Sequence, residues 1–217
     1  DISRPEGYMI LDVGGGKTLF PSNERLSKLL SERCELLVGV DPSANINANP
    51  YLHERVNCIV EEFNTERKFD LATLQMVAEH VREPRLVIES LARLVEPGGR
   101  VVVYTPSRWS PVSIAASLIP FWLHKPITRA VWGLNGEDTF PMFYRMNTRN
   151  RLRRLFHERG FKEIAFARLD NCTSFRGLRV LCFLDLSFWW VLRKLRLKHP
   201  ITELLGVYER VAEADVS

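Results

Sequence analysis

Asp12, Gly14, Gly15 and Gly16 stand together at the end of a short apolar run, in the stretch YMILDVGGGK that covers residues 8–17. Glycines placed there let backbone N–H groups approach a ligand that a Cβ would hold away. Asp41-Pro42 follows a second apolar run. A carboxylate at that point can accept two hydrogen bonds at once, as the paired hydroxyls of a ribose require. Glu79-His80 comes later, after a third run. An imidazole beside a cleft can take a proton from a hydroxyl acceptor, and it can equally bridge structure. No set of His, Cys, Asp and Glu has metal-ligand spacing. Ser110, Ser113 and Ser117 lack the context of a nucleophile elbow.

The spacing of the glycines separates the ligands such a turn can serve. A triphosphate-binding loop needs G-x-x-x-x-G-K-[ST]. Gly16-Lys17-Thr18 supplies its end, but Leu11 stands where its first glycine belongs. A dinucleotide fingerprint needs G-x-G-x-x-G. Gly14 and Gly16 fit, and Leu19 occupies the third position. Met9, Ile10, Leu11 and Val13 form the buried strand that must lead into the turn, and a helix must follow it. Ligands of open α/β sheets bind beyond the carboxyl ends of the strands, so the site is expected there.

The remaining pattern, Asp12-Val13-Gly14-Gly15-Gly16, resembles the acid-x-Gly-x-Gly turn of the class I S-adenosylmethionine (SAM) methyltransferases, with Thr18 where that family often has a further glycine. Other landmarks follow in the family's order. Residues 35–40 end in Asp41-Pro42-Ser43. Phe69-Asp70-Leu71 leads to Val77-Ala78-Glu79-His80-Val81, similar to the ubiquinone- and biotin-pathway type of methyltransferase. Leu94-Val95-Glu96-Pro97-Gly98-Gly99 precedes Val101-Val102-Val103-Tyr104. The resemblance covers residues 8–106.

It implies an α/β fold of the Rossmann-like, doubly wound type. Seven mostly parallel strands are expected, with an antiparallel last strand, in one domain over residues 1–217. It implies S-adenosyl-L-methionine as cofactor. Asp12, Gly14, Gly15 and Gly16 would hold the methionine part, Asp41 the ribose hydroxyls and Pro42 the adenine face. Leu74 and Gln75 would lie near the methionine end. The family's adenine-binding acid matches Ile59, so Glu61 or Glu62, or a backbone group, is the substitute considered, against two plain solvated charges. His80 is the candidate general base. The resemblance also implies a helix before the first strand, so the chain is expected to be a trimmed or short form. The activity implied is methyl transfer to oxygen or nitrogen of a small or lipophilic acceptor. A SAM-binding or membrane-surface module without catalysis, and a nicotinamide-dependent oxidoreductase, are the alternatives.

The 217 residues are 46% hydrophobic and 26% charged, ordinary for a globular protein with a sizeable core. A net charge of +4 does not point to nucleic acid. Cys34, Cys58, Cys172 and Cys182 form no C-x-x-C pair and read as free thiols of a cytoplasmic protein. Helices are expected over residues 23–33 (capped by Ser22, with Leu26, Leu29 and Leu30 inward), 85–94 and 147–159. Strands are expected over residues 36–40, 56–60, 69–74, 100–104, 161–169 and 206–212. Residues 107–146 are rich in aromatics and prolines, too long for a plain loop, and are expected to cap the acceptor site with short helices at 112–123 and 127–132. Residues 178–197 form a strongly apolar stretch with Trp189-Trp190 near a basic end. It reads either as a helix buried on the sheet or as one lying at a membrane surface without crossing it.

Overall fold

The computed structural model describes residues 7–21, 23–110, 113–114, 140–169, 179–196 and 202–211. Seven strands form one sheet: β1 (Met9–Val13), β2 (Leu36–Val40), β3 (Glu54–Val56), β4 (Phe69–Gln75), β5 (Val95–Pro106), β6 (Phe161–Leu169) and β7 (Glu203–Arg210). Their order is β3-β2-β1-β4-β5-β7-β6. β1 to β5 run parallel, and β7 lies antiparallel between β5 and β6. The order reverses beside β1, which places the carboxyl ends of β1, β2 and β4 around one crevice.

The alternation of strand side chains sets the two cores. Ile10 and Leu37 point to one face and pack with Leu19, Cys34, Ile46 and Leu52. Leu11, Val13, Val38 and Val40 point to the other. There they meet α2 (Pro84–Leu94) through Val87, Ile88, Leu91 and Leu94, and α3 (Arg149–His157) through Leu152, Leu155 and Phe156. Phe156 stacks on Tyr208 of β7, with ring centroids 4.0 Å apart, which ties α3 to the sheet. Thr148 caps α3 by accepting the Arg151 N–H, and Gly160 turns the chain at φ +77°.

Several expectations change. α1 (Glu24–Arg33) is capped by Asn23, whose side chain accepts the Leu26 N–H, one residue after the expected Ser22. Its fully buried residue is Ser27; Leu30 packs partly buried on the core as expected, while Leu26 is exposed. The Ser27 hydroxyl accepts the Phe20 N–H at 3.1 Å, so this helix is seated by a polar contact that periodicity does not reveal. β3 lies before the apolar run expected at 56–60. β2 meets only residues 54–56, and Cys58, Ile59 and Val60 turn toward the crevice. β5 begins at Val95, ahead of the Pro-Gly-Gly, because Val95 pairs with Phe69 across an irregularity in β4. β7 starts at Glu203 rather than 206. Residues 44–48 form a 3-10 turn.

α4 (Arg179–Lys194) leaves Val180, Phe183, Leu184, Phe188, Trp190 and Val191 exposed, so the buried-helix reading fails for those side chains. Among the described residues no helix is long and apolar enough to cross a membrane. The short helices expected at 112–123 and 127–132, and Cys172, lie outside the described residues, apart from the helical pair 113–114.

Candidate functional site

The glycine turn leaves β1 with Gly14 at φ +77° and Gly16 at φ +41°. A Cβ on Gly14 would sit 2.2 Å from Val77 Cγ2, so a side chain there would be strained and would require Val77 to move. The Gly14 N–H donates to Val40 O at 2.7 Å, which holds the turn against the end of β2. Asp41, buried at that end, carries two further bonds. Its Oδ2 accepts the Gly16 N–H at 3.0 Å, and its Oδ1 accepts the Ser43 N–H at 2.6 Å. Two carboxylate oxygens offer about four lone-pair sites, so the same group retains acceptor capacity for a ligand.

Two cavities meet at this turn. One, about 430 Å³, is lined by Val13, Gly14, Asp41, Pro42, Ile59 and Glu61 along the β1–β2 side, and by Met76, His80 and Phe140 opposite. The other, about 290 Å³, is lined by Asp12, Gly14, Gly16, Asp41, Gln75, Met76 and Phe140 among others. Asp41 and Phe140 belong to both. In a cofactor reading the first cavity would take a purine and the second, with Asp12 and Gln75 on its wall, an amino-acid moiety. The buried Gln75 Oε1 has no hydrogen-bond partner among the described residues, so an acceptor is left for a bound donor such as an ammonium group.

The crevice thus gathers Asp12, Gly14, Gly16, Asp41, Pro42, Glu61, Gln75 and His80. Leu74 lies elsewhere: it is fully buried in the core, because alternation along β4 turns it into the sheet face while Gln75 reaches the crevice. Gly15 lines neither cavity. Its carbonyl accepts from Asn49 Nδ2 at 2.8 Å.

Asn49 went unnoticed in the sequence. It is fully buried, and its backbone carbonyl takes both Arg55 Nε and Nη2. The asparagine-rich stretch 45–49 was the available signal, since Asn competes well for backbone partners in turns. Met76 was also missed. It holds φ +54° at the end of β4, where its N–H donates to Tyr104 O at 2.8 Å and the bend opens the crevice.

Asp12 is buried, and its Oδ1 accepts the Thr73 hydroxyl at 2.5 Å. Burial pushes its carboxyl up from 3.8 to about 7; the Thr73 bond opposes this and the Asp41 charge adds to it. The fold therefore prefers the neutral acid, whereas the unfolded chain releases the proton near 3.8. Between pH 4 and 7 the unfolded state binds fewer protons, so this group's contribution to stability declines as pH rises through that window. Denaturant melts should show a loss from pH 5 to 7 of at most about 1.4 kcal/mol per pH unit from this group. Asp12→Asn should flatten the slope. An unchanged slope would mean that Asp12 is already ionised in the fold.

The sheet order, the glycine turn after β1 and the acid after β2 together define a class I SAM-dependent methyltransferase, with S-adenosyl-L-methionine as cofactor. A family described as a methyltransferase domain matches residues 3–165, and the chain belongs to it. The chain is 32% identical over 164 residues to a ubiquinone biosynthesis O-methyltransferase of Xanthomonas axonopodis pv. citri, covering 64% of this chain and 68% of the relative. Across such curated relatives it spans from 49% to 68% of their length. A SAM-dependent methyltransferase from Methanosarcina mazei superposes with a TM-score of 0.58 at 14% identity, over 97% of this chain and 95% of the other. The N-methyltransferase NodS from Bradyrhizobium japonicum WM9, in complex with S-adenosyl-L-homocysteine (SAH), gives a TM-score of 0.52 at 12% identity, over 94% and 78%. At these identities the two structures show the shared fold.

Proposed function

We propose that the chain methylates a hydroxyl oxygen of a small or lipophilic acceptor. The similarity to curated ubiquinone biosynthesis O-methyltransferases carries the choice of oxygen over nitrogen. SAM, when bound, supplies a methyl group on a positive sulfonium that needs no further activation. What remains for the protein is to hold, align and desolvate.

In this reading Asp41 takes the ribose hydroxyls and Pro42 lies along the adenine face, with Glu61 at its edge. Gly14 and Gly16 let the backbone approach the methionine part, while Asp12 and Gln75 face its amino group. Residues 107–146 cap the acceptor. Trp109, exposed at the start of that segment, and Phe140 and Phe143 at its return are among its described, exposed apolar residues. The test is O-methylation of a panel of catechols and prenylated phenols with labelled SAM, scored by mass spectrometry. Methylation of amines alone would overturn the choice of oxygen.

We further propose a cytoplasmic protein whose lipophilic acceptor is met at an anionic membrane surface through α4. The apolar face of α4 is open to solvent, with Phe183 70% and Trp190 62% exposed. Exposed Arg193, Lys194 and Arg196 lie at its C-terminal end, and Lys194 Nζ sits 4.8 Å from the Trp190 ring centroid. Tryptophan and an apolar face beside cations suit the headgroup level of an anionic leaflet, where each cation contributes about 1 kcal/mol. The protein should float with vesicles containing phosphatidylserine at low salt and partly at physiological salt. Phe183→Glu with Trp190→Glu should keep it in the soluble fraction. Wild-type protein that never floats would remove the membrane from this account.

A further inference from the structure

The connection from β4 to α2 carries Glu79-His80, and the chain returns past it at residues 140–147. The contacts between these segments are dense. The Glu79 carbonyl accepts two N–H groups, from Phe143 at 2.7 Å and Tyr144 at 3.1 Å. The Glu79 carboxylate is buried and accepts the Thr105 hydroxyl at 2.9 Å, while Asn147 Nδ2 donates to that hydroxyl oxygen at 2.6 Å. Arg145 Nη1 donates to Arg82 O at 2.7 Å.

His80 completes the set. Its Nδ1 lies 3.0 Å from Pro141 O. A carbonyl only accepts, so Nδ1 must carry the proton. Its Nε2 lies 3.9 Å from Glu79 Oε1. Nδ1 is thus committed to the Pro141 carbonyl, while Nε2 stands beyond hydrogen-bond reach of the Glu79 carboxylate. The ring also meets Phe140 edge-on, with centroids 6.0 Å apart. Phe140 and Pro141 line the purine-side cavity, and Phe140 also lines the methionine-side one.

We infer that Glu79-His80 is a latch that holds Phe140 at the cofactor crevice, with His80 acting as a positioning residue through Nδ1. Glu79 clamps the backbone of the return segment, and His80 sets its leading edge. The Phe140 ring then supplies an apolar wall shared by both halves of the cofactor site. This inference rests on the methyltransferase reading.

Titration calorimetry with SAH tests it. His80→Ala should weaken SAH binding about tenfold, the scale of one hydrogen bond plus an aromatic contact. His80→Asn should restore most of that affinity, because Asn Nδ2 has the same bond separation from Cβ as His Nδ1 and also donates. Phe140→Ala, at a partly exposed position, should reproduce the loss even if His80→Ala folds poorly. The double variant should lose no more than Phe140→Ala alone. His80→Ala and Phe140→Ala binding like wild type would overturn the latch, and so would His80→Asn behaving like His80→Ala. Failure of the wild-type protein itself to bind SAH would instead reject the cofactor reading.

Discussion

Gly14→Ala should abolish cofactor binding and destabilise the fold by about 3 kcal/mol, the combined scale of a left-handed non-glycine residue and an overpacked contact. The added Cβ would stand 2.2 Å from Val77 Cγ2, at a residue with φ +77°. Two separate costs are involved, and they can be pulled apart. Adding Val77→Ala removes the steric partner and leaves the dihedral cost, so the double variant should recover part of the stability and little of the binding. Chemical denaturation and SAH titration read the two effects independently. A stable Gly14→Ala protein with normal SAH affinity would mean that the turn plays no part in the site.

Asp41→Ala should weaken SAH binding by about 3 kcal/mol, since charge-assisted hydrogen bonds are worth about 1.5–3 kcal/mol each. The effect has two sources. One is the proposed loss of the ribose contacts. The other is visible directly: the Asp41 carboxylate accepts the Gly16 and Ser43 N–H groups, so its removal also frees the glycine turn and the start of the 3-10 turn. Asp41→Asn separates them. The amide retains one oxygen acceptor and should keep part of the turn, yet it replaces the other acceptor with a donor. Its affinity should fall between those of wild type and Asp41→Ala. Affinity unchanged in both variants, with the fold intact, would take Asp41 out of the site.

The strands that frame the crevice were legible because each carries its own local signal. β1 and β2 are short apolar runs that end in an acid and a turn, and β4 begins at the expected Phe69. β6 spans the expected residues because a glycine bounds it. β3 was misplaced for a physical reason. Glu54 and Arg55 are charged, and with Val56 they form a strand because β2 offers them an open edge, whereas the more apolar Cys58, Ile59 and Val60 turn toward the crevice. Leu74 and Gln75 were read as equivalent, yet the pleat sends one into the core and the other to the site. The bonds from Asp41 to Gly16 and from Asn49 to Gly15 join residues 25 and 34 positions apart. No periodicity announces such contacts. They exist because the sheet order brings the ends of β1 and β2 side by side.

The same limit explains His80. Its neighbour in sequence and its place after β4 suggested proton transfer, and only the return of the chain at Pro141 shows what the ring touches. α4 shows the converse. Its composition suits both a core and a membrane surface, and the observed exposure of Phe183 and Trp190 removes the core reading for those side chains.

The most direct test of methyl transfer is incubation of the purified protein with methyl-labelled SAM and separate aqueous and lipid metabolite extracts, followed by mass spectrometry of the products. The account predicts an enzyme-dependent labelled O-methyl product, concentrated in the lipid or phenolic fraction and absent with Asp41→Ala. Stoichiometric SAM binding with no labelled product from either extract would contradict it and leave a cofactor-binding module without catalysis.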